Sequence, residues 1–241
     1  MNKFKYLSKI SLLFYFFFYL IFTEHAIARN KDNIFLIKLE NSLNNRNFSL
    51  LNQYFAPEDW EKFSKKLNKL IEEFPDAKWK LSNFTKKSTN KNIVDIKLNG
   101  SKSINGKKFF IHSDYNFLFS FINGKIQDTA IKNNLTLIRN DMNKIDISIA
   151  IPDKVLTGAK YDIDVIVNEP LGESIIAGNI REHSESNILP SSIDLEPLAS
   201  GGIFKVTRAP IKPGIQIWSG MIAHPKGLIS FTKTVNIQEK F

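Results

Sequence analysis

Residues 107–128 read KKFFIHSDYNFLFSFINGKIQD, and this stretch decides the fold of the first half of the chain. Apolar and aromatic residues alternate with polar ones, which is the period of two expected of a half-buried β-strand. One face of the predicted strand carries Phe109, Ile111, Tyr115, Phe117, Phe119 and Phe121. Asn123–Gly124 is a dipeptide typical of a type I′ turn, so the strand is expected to turn back as a hairpin.

The length of this turn also predicts which residues pair across the hairpin. A two-residue turn places Asp128 opposite Phe119 and Ala130 opposite Phe117, so Asp128 would lie on the apolar face. A carboxylate on such a face is disfavoured as the anion and becomes able to accept and return a proton. Asp128 is therefore a weak catalytic candidate. The alternative is that it lies in water near the hairpin tip, or that a bulge turns it outward.

Helical periodicity precedes the strands. From 32 to 74, apolar residues recur every three or four positions, with a polar interruption at 44–47. Pro57 is placed to begin a second helix, and Pro75 to end it. Two helices are thus predicted before the sheet.

The period changes to two from 77 to about 138. Asn99–Gly100 and Asn105–Gly106 are predicted turns between the strands. Helices followed by an antiparallel sheet predict an α+β fold for residues 29–141.

The second half, residues 142–241, shows strand patterns and no helical segment. The strand-like runs are 145–151, 161–167, 175–180, 203–207, 215–223 and 228–237. Short strands bounded by Pro and Gly favour a β-sandwich, with 183–196 as a long loop or irregular edge. A polar connector at 139–144 separates the halves, and we expect each half to be separately foldable around its own hydrophobic core.

Several residues of the first half resemble the nuclear transport factor 2-like cone family. They are Leu43, Arg46–Asn47–Phe48, Leu51, Tyr54–Phe55, Trp79 and the aromatic strand to Phe121. The resemblance covers 32–138 and implies helices packed on a curved antiparallel sheet, with a pocket between them. Some family members use an Asp or His on that sheet face as a base. It implies a ligand-binding set of Tyr54, Trp60, Tyr115 and Asp128.

The second half resembles an immunoglobulin-like module appended to such a cone in exported proteins of cyanobacteria. The residues that carry this likeness are Ile149–Ala150–Ile151–Pro152, Pro170–Leu171–Gly172, Gly201–Gly202–Ile203–Phe204–Lys205–Val206 and Trp218–Ser219–Gly220. This second resemblance implies a β-sandwich and no activity.

The first 28 residues have the pattern of a secretory signal peptide. Lysines at 3, 5 and 9 precede an apolar run at 10–22, and Ala26–Ile27–Ala28 is a cleavage site before Arg29. An uncleaved anchor is the alternative, but the run is shorter than the roughly 20 residues of a membrane span. We expect a periplasmic or other extracytoplasmic location, with membrane contact only through an uncleaved signal peptide.

Composition narrows the possible partners. The chain has 33 Lys and Arg against 24 Asp and Glu, and it contains no Cys. Most of the excess positive charge lies before residue 144. This basic first half presents either a solvated surface or a surface that binds an anionic polymer. Because the protein is expected to be exported, nucleic acid is not predicted as a partner. A homodimer formed through the sheet is a further possibility.

No complete catalytic or metal-binding motif is present in the sequence. His112 and Asp114 share one strand face, but two ligands are too few for a metal site, and we expect that face to point away from the helices. No cofactor and no metal is predicted.

These observations favour a non-catalytic exported protein whose cone binds a small apolar ligand or a protein partner, and whose sandwich mediates contacts. The first alternative is an isomerase or dehydratase that uses Asp128 as base and Tyr115 or Tyr54 as hydrogen-bond donor. The second is attachment to an anionic surface polymer through the basic first half.

We predict that the mature protein begins at Arg29 and is soluble, because a short apolar run and small residues at the cleavage site direct removal of residues 1–28. N-terminal sequencing of exported protein checks this. A mature protein that still contains residues 14–18 would contradict it.

Overall fold

A computed structural model of the 241-residue chain describes residues 33–86, 91–140, 145–170, 172, 174–183 and 194–239. The predicted signal peptide, its cleavage site at Ala28 and Arg29, and most of the predicted loop at 183–196 lie outside the described residues. The structure is α+β and its strands are mostly antiparallel, which confirms the predicted fold class at that level.

Three helices form where the sequence predicts two. They are α1 (33–44), α2 (Phe48–Tyr54) and α3 (Pro57–Glu73). The polar residues 44–47 end one helix and start another: Arg46 has a left-handed φ of 55°, and Asn47 Oδ1 accepts a 3.0 Å hydrogen bond from Leu50 N. That bond satisfies a free N–H at the start of α2. Pro57 begins α3 as predicted.

Four long strands follow the helices. They are β1 (Lys78–Lys86), β2 (Lys91–Ile104), β3 (Lys107–Ile122) and β4 (Lys125–Arg139). Two-residue turns at Asn105–Gly106 and Asn123–Gly124 join β2 to β3 and β3 to β4. All four turn residues have positive φ, between 50° and 75°, so both predicted turns are confirmed.

The third predicted turn, Asn99–Gly100, is wrong. Both residues lie inside β2, where they pair with His112 and Ile111. A Cβ at Gly100 would come within 3.1 Å of Ala77 Cα and 3.2 Å of Ile111 Cγ2. The glycine therefore marks a close approach of two backbones and not a turn.

The second half forms eight strands within the described residues. They are β5 (Ile147–Ala150), β6 (Lys154–Leu156), β7 (Lys160–Val167), β8 (Ala177–His183), β9 (Glu196–Pro197), β10 (Gly202–Arg208), β11 (Gly214–His224) and β12 (Gly227–Gln238). A small sheet has the order β10-β7-β5.

The remaining strands form one large sheet that crosses from the first half into the second. Its order is β1-β2-β3-β4-β12-β11-β8-β9, and β6 pairs with β12 in parallel. The two halves therefore share one sheet, because β4 pairs with β12 from Leu135–Lys233 to Arg139–Ile229. We call this pairing the seam. A pattern of alternating residues carries no information about which edge strand lies next to which.

Two hydrophobic clusters pack on opposite faces of this sheet. The first lies under the helices and the second under the small sheet. Neighbouring β4 residues show the division, since Leu137 packs against the second cluster and Ile138 against the first. Successive side chains of a strand point to opposite faces. We call the helix-covered face of β1–β4 the inner face and its opposite the outer face.

Two bulges in β4 change the register predicted for the hairpin. Pairing follows the prediction only as far as Gln127, and the register then shifts near Asp128 and again near Asn133. Both residues have positive φ, 53° and 50°. Each bulge adds one residue to β4, so the side chains that face inward change from even-numbered to odd-numbered positions, or back again. Ile131 faces inward between the bulges, and even-numbered residues face inward after them.

A buried chain of hydrogen bonds holds the second cluster together. The Tyr161 hydroxyl accepts from Trp218 Nε1 at 2.8 Å and donates to Gln216 Oε1 at 2.7 Å. All three side chains are buried, and the Lys205 ammonium lies 5.0 Å from the centroid of the Trp218 ring. The Trp218 N–H and Gln216 Oε1 therefore both depend on the Tyr161 hydroxyl for a buried hydrogen bond.

We predict that Tyr161→Phe lowers the free energy of unfolding by about 1–3 kcal/mol, because it leaves a buried donor and a buried acceptor without partners. Urea denaturation measures this. Tyr54→Phe is the matched control, since the Tyr54 hydroxyl makes no hydrogen bond with a described residue, and its expected effect is within about 0.5 kcal/mol. Equal effects of the two variants would contradict the prediction.

Candidate functional site

A cavity of about 280 Å³ lies between α3 and the inner face of the β1–β4 sheet. The residues around it come from α3 and all four strands. Its described lining residues are Phe63, Lys66, Leu67, Leu70, Trp79, Leu98, Ile111, Ser113, Tyr115, Phe117, Ile131, Asn134 and Thr136. Apolar and aromatic side chains form most of the wall, which is typical of a site for a small organic molecule.

Exposure divides the cavity into an interior and a mouth. Trp79, Leu98 and Ile111 are buried and form the interior. Lys66 is exposed, and 39% of Ile131 is accessible to solvent. The cavity therefore opens on the side where α3 faces β4.

A small polar cluster of Ser113, Asn134 and Thr136 interrupts the apolar wall. Ser113 Oγ lies 2.7 Å from Thr136 Oγ1, and each of these hydroxyls lies 3.1 Å from Asn134 Oδ1. Both hydroxyls can direct a proton toward that one oxygen. The described residues supply no acceptor for Asn134 Nδ2, so its two N–H groups remain as donors.

Tyr115 adds a neutral hydroxyl to the wall. Burial raises the pKa of this hydroxyl above its ordinary value, and a hydrogen bond with the Trp79 side chain offsets part of the rise. The phenol therefore stays protonated at neutral pH. Because the Trp79 indole can only donate, the Tyr115 oxygen accepts from it and keeps its own O–H as a donor.

Among the four residues predicted to bind ligand, the structure places only Tyr115 in this cavity. Tyr54 packs edge-on against Phe35, with ring centroids 5.7 Å apart. Trp60 packs against Phe55 at 5.8 Å and Phe63 at 6.2 Å. Both side chains belong to the aromatic core beside the cavity.

Asp128 lies outside the cavity, contrary to the predicted pairing with Phe119. It is exposed, and the register shift at its bulge removes it from the inner face. The neighbouring Thr129 donates from both its N–H and its hydroxyl to Asp59 Oδ1, at 3.1 and 2.8 Å. Those two bonds tie the bulge to the first turn of α3.

His112 and Asp114 lie on the outer face, as predicted. His112 Nε2 is 3.0 Å from Asp114 Oδ2, its Nδ1 is 2.7 Å from Asn99 Oδ1, and Lys97 Nζ is 3.7 Å from Asp114 Oδ1. Within the described ranges, no group of three or more His, Cys, Asp or Glu side chains is placed to hold a metal ion.

A second, more open depression of about 600 Å³ lies at the end of α3. Four of its lining residues bind one another: Glu73 pairs with Lys102, and Asp76 accepts from the N–H and hydroxyl of Ser101. These contacts hold the pKa values of Glu73 and Asp76 below their ordinary values. The depression is thus lined mostly by polar and charged residues, whereas the cavity has a mostly apolar wall.

Tyr115 was predicted from the sequence as a residue of the site, whereas four other lining residues were not: Lys66, Ser113, Asn134 and Thr136. Alternation was sufficient to identify Ser113, because it lies on the inward face between Ile111 and Tyr115. The β4 residues required both bulges to be counted. Helix α3 contains several lysines, and nothing in the sequence distinguishes Lys66 from the others as a cavity residue.

No helix in the described part of the chain combines the length and apolar character needed to cross a membrane.

Residues 142–238 match the model of a family described as Domain of unknown function (DUF8623). The matched range contains β5–β12 and none of the described residues that line the cavity. A comparison with curated proteins found no match.

We predict that Asp128→Gly leaves the free energy of unfolding within about 1 kcal/mol of wild type, because glycine adopts positive φ readily. Asp128→Val is expected to lower it by about 1–2 kcal/mol, since a β-branched residue is strained there. Urea denaturation measures both variants.

The same two substitutions at Gln127 are the control. Gln127 pairs regularly with Ser120, so valine there is expected to be more stable than glycine. The same order at Asp128 would place that residue in regular strand and contradict the bulge.

Proposed function

We propose that this chain is a non-catalytic, exported binding protein that holds a small apolar molecule in the cavity between α3 and the inner face. The observation that carries the proposal is an open, mostly apolar cavity with a small polar cluster in its wall. Its volume of about 280 Å³ is near the lower limit of about 300 Å³ for ligand pockets, so the ligand is small.

Binding is better supported than catalysis by the side chains around the cavity. The alternative enzyme, an isomerase or dehydratase, needs a base on the inner face. The described lining residues include no carboxylate and no imidazole, and Asp128 is exposed at its bulge. Tyr115, Ser113 and Thr136 supply neutral hydroxyls, which can position a ligand but are poor bases at neutral pH.

We further propose that residues 29–141 form a nuclear transport factor 2-like cone and residues 142–241 an immunoglobulin-like sandwich. Three helices on one face of the antiparallel strands β1–β4, which form one end of the large sheet, support the first assignment. The small sheet packed against the second cluster supports the other.

The second half is proposed to mediate contacts with a protein partner or a second copy of the chain. Phe204 and Val206 support this role, because 54% and 69% of them is accessible to solvent. They lie on β10, an edge strand of the small sheet within the described residues. Export rests on the signal-peptide pattern of residues 1–28.

Binding of octan-1-ol, measured by titration calorimetry, tests the proposed function. We predict that Leu70→Trp weakens this binding by at least about tenfold, because the larger side chain occupies the cavity. Ile71→Trp is the matched control. Ile71 also packs against the first cluster but does not line the cavity, so this variant is expected to retain the affinity of the wild type.

Melting temperatures without octan-1-ol show whether both variants are folded. If Leu70→Trp binds octan-1-ol as tightly as the wild type, the cavity is not the place where this probe binds.

A further inference from the structure

One stripe of lysines runs along α3 beside the cavity. Lys62, Lys65, Lys66 and Lys69 lie at positions i, i+3, i+4 and i+7, which places them on one side of the helix. All four are exposed, and none forms an ion pair with a described residue. Lys66 alone lines the cavity.

Hydrogen-bond donors without acceptors gather at the same cavity. The hydroxyls of Ser113 and Thr136 approach Asn134 at its oxygen, Oδ1. The amide nitrogen, Nδ2, has no acceptor among the described residues. The Tyr115 O–H is a further donor. Together with the Lys66 ammonium, these groups favour a ligand whose polar end accepts hydrogen bonds and carries negative charge.

The interior requires the rest of that ligand to be apolar. Trp79, Leu98 and Phe117 are buried and offer no carboxylate or ammonium group. A methylene group takes up about the 30 Å³ that a water molecule has in the liquid, so 280 Å³ accommodates about ten non-hydrogen atoms. This is the size of one medium-length alkyl chain with a small head group.

We propose that the ligand is a single-chain carboxylate of medium length, with its head group between Lys66 and Asn134 and its alkyl chain directed toward Trp79 and Leu98. This inference rests on the proposed function, because it names the class of molecule that the cavity binds. Lys66 supplies charge, Asn134 supplies directed N–H donors, and the aromatic wall supplies apolar contact.

Three probes with the same chain and different head groups test the proposal: octanoate, octan-1-ol and octylamine at pH 7.5. Titration calorimetry is expected to show octanoate binding about tenfold more tightly than octan-1-ol, since one charge-assisted hydrogen bond is gained. Octylamine is expected to bind most weakly, because its ammonium faces Lys66.

Two variants locate the head group. Lys66→Met is expected to weaken octanoate binding about tenfold and to leave octan-1-ol within about twofold. Lys65→Met is the matched control, since Lys65 lies in the same stripe but not at the cavity, and it is expected to retain octanoate binding. Asn134→Asp keeps an oxygen for Ser113 and Thr136 but replaces the free donor with a carboxylate, so octanoate is expected to lose affinity and octylamine to gain it.

The outcomes separate this inference from the proposed function. If octan-1-ol and octanoate bind equally, or Lys65→Met weakens octanoate as much as Lys66→Met, the carboxylate assignment is wrong and the apolar site remains. If none of the three probes binds, the site itself is wrong. Melting temperatures of the unliganded variants establish that each is folded.

Discussion

Strand β4 contributes side chains to two hydrophobic clusters, and the rest of the structure depends on its alternation staying in phase. Leu137 packs under the small sheet while Ile138 packs under the helices. A shift of one residue would send each side chain to the wrong face. A single bulge makes such a shift, and a second bulge reverses it. The bulges at Asp128 and Asn133 therefore work as a pair, and both positions carry residue types that tolerate positive φ.

Features determined by a few neighbouring residues could be predicted from the sequence. Asn123–Gly124 predicted its turn because few dipeptides adopt two positive φ angles easily. Pro57 predicted the start of α3 for a similarly local reason. The bulge at Asp128 was one of three alternatives that the sequence left open, since a single Asp in a strand pattern does not show whether the register shifts there. The seam was beyond reach because β4 and β12 meet through backbone groups that every residue has.

The candidate site was predicted only in outline for the same reasons. The inward aromatic face of β3 was visible in the alternation, and it contains Tyr115. The polar lining residues Asn134 and Thr136 lie on β4 beyond the second bulge, where the predicted register no longer holds. The second half also contributes, although it does not line the cavity: Thr234 Oγ1 accepts a 2.8 Å hydrogen bond from Asn134 N. A strand within the matched family range thus supports the residue that presents the free amide donors.

The seam also sets an order for folding. Asn134 and Thr234 are separated by 100 residues. During synthesis, β4 is therefore made long before β12, the strand that pairs with its free edge. An unpaired edge strand attracts strands of other chains, and contacts over such a sequence distance form slowly. Because the chain has no Cys, no disulfide can hold an early intermediate in place. The edge of β4 that pairs with β12 is therefore open to pairing with strands of other chains during the interval before β12 is made.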